Sequence, residues 1–199
     1  MDWVQDGSFK RREYDTYEEY LKHQGQKFDI IGFMPKYDEL FYNALMVRLP
    51  RTKNEKVAYC LGARQGTEVR ALIDLGWKAK GFDVNPGNDN QFVEYGDFHN
   101  LDFLANESAR LVYSNAIDHA LYPDKFIQEV IRLLGHRGRF YCEASFGSSE
   151  GREAMSYECF WWDNTGSLID FVQKLGLNLV MSQRFTYPWR GHQLVFEKR

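Results

Sequence analysis

Apolar residues recur along the chain with two different periods, and the points where one period gives way to the other mark out its elements. Tyr14, Tyr17, Tyr20 and Leu21 stand at helical spacing in a charged background. Gly25, Gly32 and Pro35 interrupt them, and Leu40, Phe41, Ala44, Leu45 and Val47 resume the spacing. Residues 1–56 are therefore expected to form two helical segments, a flank or lid over the remainder of the chain. Pro50 and the linker RTKNEK lead into the apolar run 57–61, short enough to be a buried strand.

From there the pattern alternates. A Gly-bearing turn at 62–66 is followed by a helix over 67–75, with Val69, Leu72, Ile73 and Leu75 on its apolar side and Gly76 just past its end. Strands are predicted over 78–83, 91–95 and 109–114, then a helix over 123–134, the turn GHRG and a strand over 139–145. Such alternation predicts right-handed crossovers and a parallel sheet covered on both faces. The end of the chain breaks the rhythm. After a helix over 165–175, the runs 178–187 and 192–198 are joined by PWRG alone and must pair antiparallel. The expectation is an α/β doubly wound, mostly parallel seven-stranded sheet with a C-terminal antiparallel hairpin and N-terminal helices, in one domain spanning 1–199 with its core at 57–199.

Composition narrows the partners. A chain of 199 residues with 44% hydrophobic and 27% charged residues can bury one substantial core in water and is neither disordered nor a membrane span. Its 15 Phe, 12 Tyr and 5 Trp supply flat surfaces for that core or for a planar ligand. Net charge is -3 with no basic stripe, so the electrostatic footprint of a nucleic-acid binder is missing. Cys60, Cys142 and Cys159 have neither paired spacing nor nearby His, and read as reduced, buried thiols. No signal-like N-terminus and no run approaching roughly 18 apolar residues is present, which leads to the expectation of a cytoplasmic protein without membrane partners.

Three turns carry candidate chemistry. CLGARQG ends a strand at Gly62 and opens a helix at Gly66, which brings backbone close to a ligand and turns free amides toward it. Such a turn serves many nucleotides and also occurs as an ordinary loop. Asp83, in GFDVNP, lies one strand–helix–strand step later, where a carboxylate can accept from both ribose hydroxyls of a nucleoside; the alternative is a turn residue ahead of Asn85 and Pro86. Asp97 in YGDFHNL follows the third strand. There its carboxylate or the Phe98 amide could meet an adenine edge with Phe98 packing on the ring, or Asp97 could simply cap a turn.

Together with AIDHALYP and FIQEVIRLLGHRG, these segments make residues 57–145 resemble the class I S-adenosylmethionine-dependent methyltransferases, especially the group called methyltransferase type 11. In that group a Gly-rich loop, an acid after the second strand and an Asp with its neighbour after the third precede a His-containing turn. A helix of the form FIxEVxRLLxxxG then enters the fifth strand. The resemblance implies a Rossmann-like fold, S-adenosyl-L-methionine as cofactor, and cofactor contacts from Leu61, Gly62, Ala63, Arg64, Gly66, Asp83, Val84, Asp97, Phe98 and Asn115. The antiparallel ending fits the family's last two strands. Two departures stand out. Arg64, behind Ala63, replaces the middle glycine of the loop, where it could cap the pocket, meet the methionine carboxylate or block access. NPGNDN is too short for the usual helix before the third strand, so the adenine side should be open or covered by another element.

A methyl group on a sulfonium is already activated, so transfer asks mainly for an in-line nucleophile. For a hydroxyl acceptor a base adds about 100 to 10,000-fold. His119, after the fourth strand at the carboxyl edge of the sheet, is the candidate base with Asp118 to orient it; a structural contact at the helix start is the alternative. Tyr17, Tyr20, Trp161, Trp162, Trp189, Arg190 and His192 are candidates for an acceptor pocket. Glu143 and Glu150 do not assemble the acid triad of a metal-dependent methyltransferase, and no metal is expected. The expected acceptor is a small-molecule or sugar hydroxyl, glycans included. SNAID stands where an amino methyltransferase of DNA would carry an Asn-Pro-Pro-Tyr-like tetrapeptide, so nucleic acid is not the expected partner. A nicotinamide-dependent reductase is opposed by the hairpin ending and the lack of a Tyr-xxx-Lys pair. A non-catalytic protein on the same scaffold remains the main alternative, chiefly because of Arg64.

Overall fold

In the computed structural model the described residues are 2–32 and 34–199, without the Phe28 side chain. The chain opens on a hairpin, β1 (Trp3–Asp6) and β2 (Phe9–Arg12), which the helical reading of this region did not anticipate. Its two-residue turn, between the paired Asp6 and Phe9, starts with Gly7 at φ +57, a position where tight hairpin turns favour glycine. Helices α1 (Tyr17–Ile31) and α2 (Pro35–Arg48) follow. Gly25 lies inside α1, so the interruption comes later than its sequence suggests. It falls after Ile31, where Gly32 takes φ +66 and Pro35 opens α2, its missing N–H being one the first turn leaves unbonded anyway.

Then come β3 (Val57–Leu61), α3 (Thr67–Asp74), β4 (Lys78–Asp83), β5 (Val93–Tyr95), β6 (Ala109–Ser114), α4 (Pro123–Leu133) and β7 (Leu134–Ser145). The last segments are β8 (Phe160–Trp162), α5 (Thr165–Lys174), β9 (Leu177–Phe185) and β10 (Gly191–Lys198). Seven strands form one sheet in the order β5-β4-β3-β6-β7-β10-β9, in which β3 to β7 pair parallel and β10 runs antiparallel to both neighbours. This is the doubly wound architecture the sequence predicts, closed by the antiparallel hairpin. One boundary differs: GHRG is not a free turn but part of β7, where a register shift opposite Ala109 and Leu111 takes up the extra residues and Arg137 adopts φ +56. β8 joins β2 in a separate three-stranded sheet, and there Trp161 and Trp162 are buried rather than turned to a pocket.

Strand residues alternate between two cores, as a pleated sheet covered on both faces requires. Leu111, Tyr113, Tyr141 and Val195 face α2 and α3, among Phe41, Leu45, Val69 and Leu72. Val112, Phe140, Cys142 and Phe196 face α4 and α5, among Phe126, Val130, Leu168 and Val172. All three cysteines are free and buried. Among the described residues no helix is long and apolar enough to cross a membrane. Because β4 and β5 lie on one side of β3 and β6 lies on the other, the strand order reverses between β3 and β6. The loops leaving their carboxyl ends therefore diverge over a crevice.

One buried ion pair ties α2 to the sheet beside that crevice. Arg48 donates from Nε and Nη2 to the two carboxylate oxygens of Glu143 on β7, at 2.8 and 3.0 Å, and from Nη1 to the Tyr187 carbonyl. Its guanidinium lies 4.2 Å from the centre of the Phe185 ring, and Gln193 Nε2 also donates to Glu143. The Glu143 side chain is wholly shielded from solvent, so its desolvation is tolerable only while the guanidinium is present. Arg48→Ala should cost about 3–5 kcal/mol in urea denaturation, and adding Glu143→Gln should restore part of it. A loss below about 1 kcal/mol, the range of surface pairs, would show that the pair is not needed.

Candidate active site

The crevice is a cavity of about 660 Å³ that runs along the carboxyl edge of the sheet. Its inner end is built by the loop after β3. Gly62 takes φ +73 with so little room that a Cβ there would come within 2.6 Å of Ala116 Cβ and 3.5 Å of the Phe98 ring. Arg64, the residue in place of a glycine, has φ +21, and its amide donates to Asp83 Oδ2 at 3.0 Å. The Asn85 amide donates to Asp83 Oδ1 at 2.8 Å. Asp83 thus spans two loops, one lone pair on each oxygen committed to backbone and its remaining capacity facing the cavity. Burial raises its pKa, against which the two amides work.

Of the residues expected to touch a cofactor, Gly62, Ala63, Arg64, Asp83, Val84, Phe98 and Asn115 line this cavity. Leu61, Gly66 and Asp97 do not. Leu61 is fully buried in the core, and Gly66 caps α3 in the left-handed conformation against Phe92 and Val93. Asp97 accepts from Tyr17 Oη and from both the amide and Nδ1 of His99. Burial raises the Asp97 pKa, but these bonds outweigh it and hold the carboxyl below its usual range. Its work is to fasten α1 to the sheet edge. The missing helix between β4 and β5 is compensated by α1 as well, since Asn85 Nδ2 donates to the Gly25 carbonyl at 2.7 Å.

α1 roofs the cavity through a stripe at helical spacing. Tyr20 donates to the His119 carbonyl, Gln24 to the Tyr157 carbonyl, and Lys27 Nζ lies 2.8 Å from His119 Nε2. His119 Nδ1 is 2.9 Å from the Tyr157 carbonyl, which can only accept, so Nδ1 carries the proton and Nε2 presents its lone pair to Lys27. The orienting partner of His119 is thus the Tyr157 carbonyl, whereas Asp118 Oδ1 stands 3.7 Å from Nε2. Burial, then the Lys27 charge, hold the imidazole well below its usual pKa and hence neutral. Burial also lowers Lys27, against the pull of Asp118, and raises Asp118 to about 6. Asp118, His119 and Glu158 bring ligand-type atoms within 4.8 Å of one another, but the free nitrogen of His119 is occupied by Lys27. Glu143 is paired with Arg48, and Glu150 accepts from the amides of Gly147 and Thr165 and from the Thr165 hydroxyl.

Among the cavity residues that were not singled out in the sequence are Lys27 and Glu68. Lys27 continues the stripe of Tyr17, Tyr20 and Gln24, and Glu68 follows the Gly loop in the first turn of α3. Burial raises Glu68 to about 8, helped by the Asp83 charge and opposed by Arg64. Of the aromatic and cationic acceptor candidates, Tyr20, Trp189 and Arg190 line the cavity, while Tyr17 is spent on Asp97 and His192 on Thr165.

No protein-family model and no curated protein sequence matches the chain. Solved structures do. The 1,6-didemethyltoxoflavin-N1-methyltransferase of Burkholderia thailandensis, with 1,6-didemethyltoxoflavin and S-adenosylhomocysteine bound, superposes with a TM-score of 0.72 at 15% identity, over 100% of this chain and 99% of that one. A chain from the complex of the Haloferax volcanii Trm112 methyltransferase activator with a methyltransferase partner gives 0.65 at 19% identity, over 94% and 99%. An S-adenosylmethionine-dependent methyltransferase of Aquifex aeolicus gives 0.65 at 11% identity, over 88% and 98%. The fold is that of the class I methyltransferases.

Glu68 makes a pH prediction with a definite sign. Its folded pKa of about 8 lies above the ordinary 4.5, so the stability from its protonated form is full at acid pH and is lost as pH rises toward 8. Relative to Glu68→Gln, the melting temperature of the wild type should fall between about pH 5 and 8. Parallel curves would show that the carboxyl ionises without cost.

Proposed function

We propose that the protein is an S-adenosylmethionine-dependent methyltransferase acting on the hydroxyl of a small molecule or sugar. The observation that carries this reading is the continuity of the cavity. One cavity is lined by Gly62, Asp83 and Phe98 at the strand-order reversal, by Lys27 and His119, and by the aromatic residues Phe146 and Trp189. The groups present suit the cofactor. Asp83 has acceptor capacity left for ribose hydroxyls, the close approach at Gly62 keeps the floor flat, and Phe98 offers an apolar wall. Arg64 Nη1 is buried without a protein partner, which fits a ligand carboxylate and gives the unexpected arginine a use. The Asp83 carboxylate, and Glu68 once a cationic guest draws off its proton, suit a sulfonium and an α-ammonium group.

Bound there, the cofactor supplies a methyl group that needs a positioned nucleophile more than acid-base machinery. The protein's share is positioning and proton removal. Lys27 Nζ donates to the lone pair on His119 Nε2 and burial lowers the pKa of both groups, so that loss of the Lys27 proton leaves two neutral nitrogens side by side. In that state the pair can take the proton of an acceptor hydroxyl while α1 excludes water. A cavity of this size falls within the roughly 300–1,000 Å³ of small-ligand pockets, which supports a compact acceptor over a macromolecular surface.

Calorimetric titration with S-adenosylmethionine and S-adenosylhomocysteine tests the reading. Micromolar binding is expected, abolished by Asp83→Ala and weakened about 10- to 100-fold by Arg64→Ala through loss of a charge-assisted hydrogen bond. No binding of either ligand by folded protein would favour the non-catalytic alternative. Once turnover is measured on a hydroxyl acceptor, His119→Ala should slow it about 100-fold or more without changing cofactor affinity. An unchanged rate would remove His119 from proton transfer.

A further inference from the structure

Arginines and aromatic rings both contribute to the cavity lining. Phe146, which is buried and forms part of the wall, is flanked by two guanidinium groups, Arg184 at 4.8 Å and Arg190 at 5.8 Å from its ring centre. Arg152 lines the same wall, close enough to Asp118 to lower its pKa against burial. Among the described residues none of these three arginines has a carboxylate oxygen within 4 Å. Glu150, two residues before Arg152, accepts through Oε2 from Gly147 and Thr165, and Glu153, next to Arg152, pairs with Lys10. Guanidinium groups without a carboxylate partner are available to a bound anion. Tyr37, Phe41 and Trp189 line the same cavity as Phe146. Flat rings with guanidinium groups on their faces favour a flat, charged guest over a hydroxyl-rich neutral one.

We propose that the methyl acceptor is a small aromatic acid, its anionic group held by Arg152 and Arg190 at the mouth and its hydroxyl directed inward to Lys27 and His119. This rests on the methyl-transfer reading and sharpens it. A sugar phosphate would satisfy the arginines equally but would leave the rings without a partner.

The two parts fail separately. S-adenosylhomocysteine is titrated first, and its binding reports on the cofactor end alone. Into the loaded protein, 4-hydroxybenzoate, 4-hydroxycinnamate, their two amides and glucose 6-phosphate are then titrated. At least one acid should bind about tenfold or more tightly than its own amide, and the preference should vanish in Arg152→Gln/Arg190→Gln, whose S-adenosylhomocysteine affinity stays that of the wild type. Both arginines are exposed, so the double variant should fold. Equal binding of acid and amide, a preference that survives the double variant, binding of glucose 6-phosphate alone, or no binding of any probe by loaded protein would each overturn the proposal. Should S-adenosylhomocysteine itself fail to bind, the methyl-transfer reading falls, and the same acid and amide titrations on the unloaded protein decide whether the arginines form an acid site.

Discussion

Two loops meet over the middle of the sheet with no space between them for one methyl group. At Gly62 a Cβ would overlap Ala116 Cβ, so the loops after β3 and β6 approach as closely as backbone allows. Most of the site depends on that contact. The left-handed turn at Gly62 aims the Arg64 amide at Asp83, Asp83 then reaches the Asn85 amide, and Asn85 holds the middle of α1. A floor, a wall and a roof are thereby fixed in turn by Gly62, Arg64, Asp83 and Asn85, from the loops after β3 and β4.

Charge is distributed along the cavity according to what each segment can neutralise internally. Glu143 is satisfied by Arg48 and is part of the scaffold. Glu68 has no such partner and remains protonated over much of the neutral range, a reserve of negative charge that a cationic guest would draw out. Lys27 is held between Asp118, Glu158 and the lone pair of a neutral imidazole, which leaves its charge sensitive to whatever enters beside it. Glu68, the Lys27–His119 pair and the arginines of the lining therefore respond to ligands in different ways.

The sheet was legible because its strands are short apolar runs punctuated by Gly and Pro, and because PWRG leaves β9 and β10 no option but to pair antiparallel. The N-terminal hairpin was not. WVQDGSFKRR is half polar, its strands are only partly buried, and they are held by β8 from 150 residues away, a pairing no local period records. Within the site, the glycine turn and Asp83 were visible from spacing, and the cavity does contain them. Asp97 was correctly placed after the third strand, but the tyrosine and histidine that claim its carboxylate come from α1 and the next loop. Lys27 and Glu68 were overlooked for one reason: a charge on a helix reads as solvated or as a partner of the helix dipole until tertiary packing buries it. Trp161 and Trp162 illustrate the converse, large rings that suggested a pocket and fill a core.

The way α1 is seated has a consequence for the behaviour of the protein in concentrated solution. Among the described side chains its docked face includes Tyr17, Tyr20, Gln24 and Lys27, whose polar tips bond to the loops at the sheet edge, and His23, which bonds to Tyr14 and stacks on Tyr157. When such a helix lifts, the tips trade protein partners for water and the rings expose no continuous oily face. A roof built from leucines would leave a sticky patch at every opening and invite self-association. Tyrosines and histidines allow the site to exchange its contents repeatedly without that hazard.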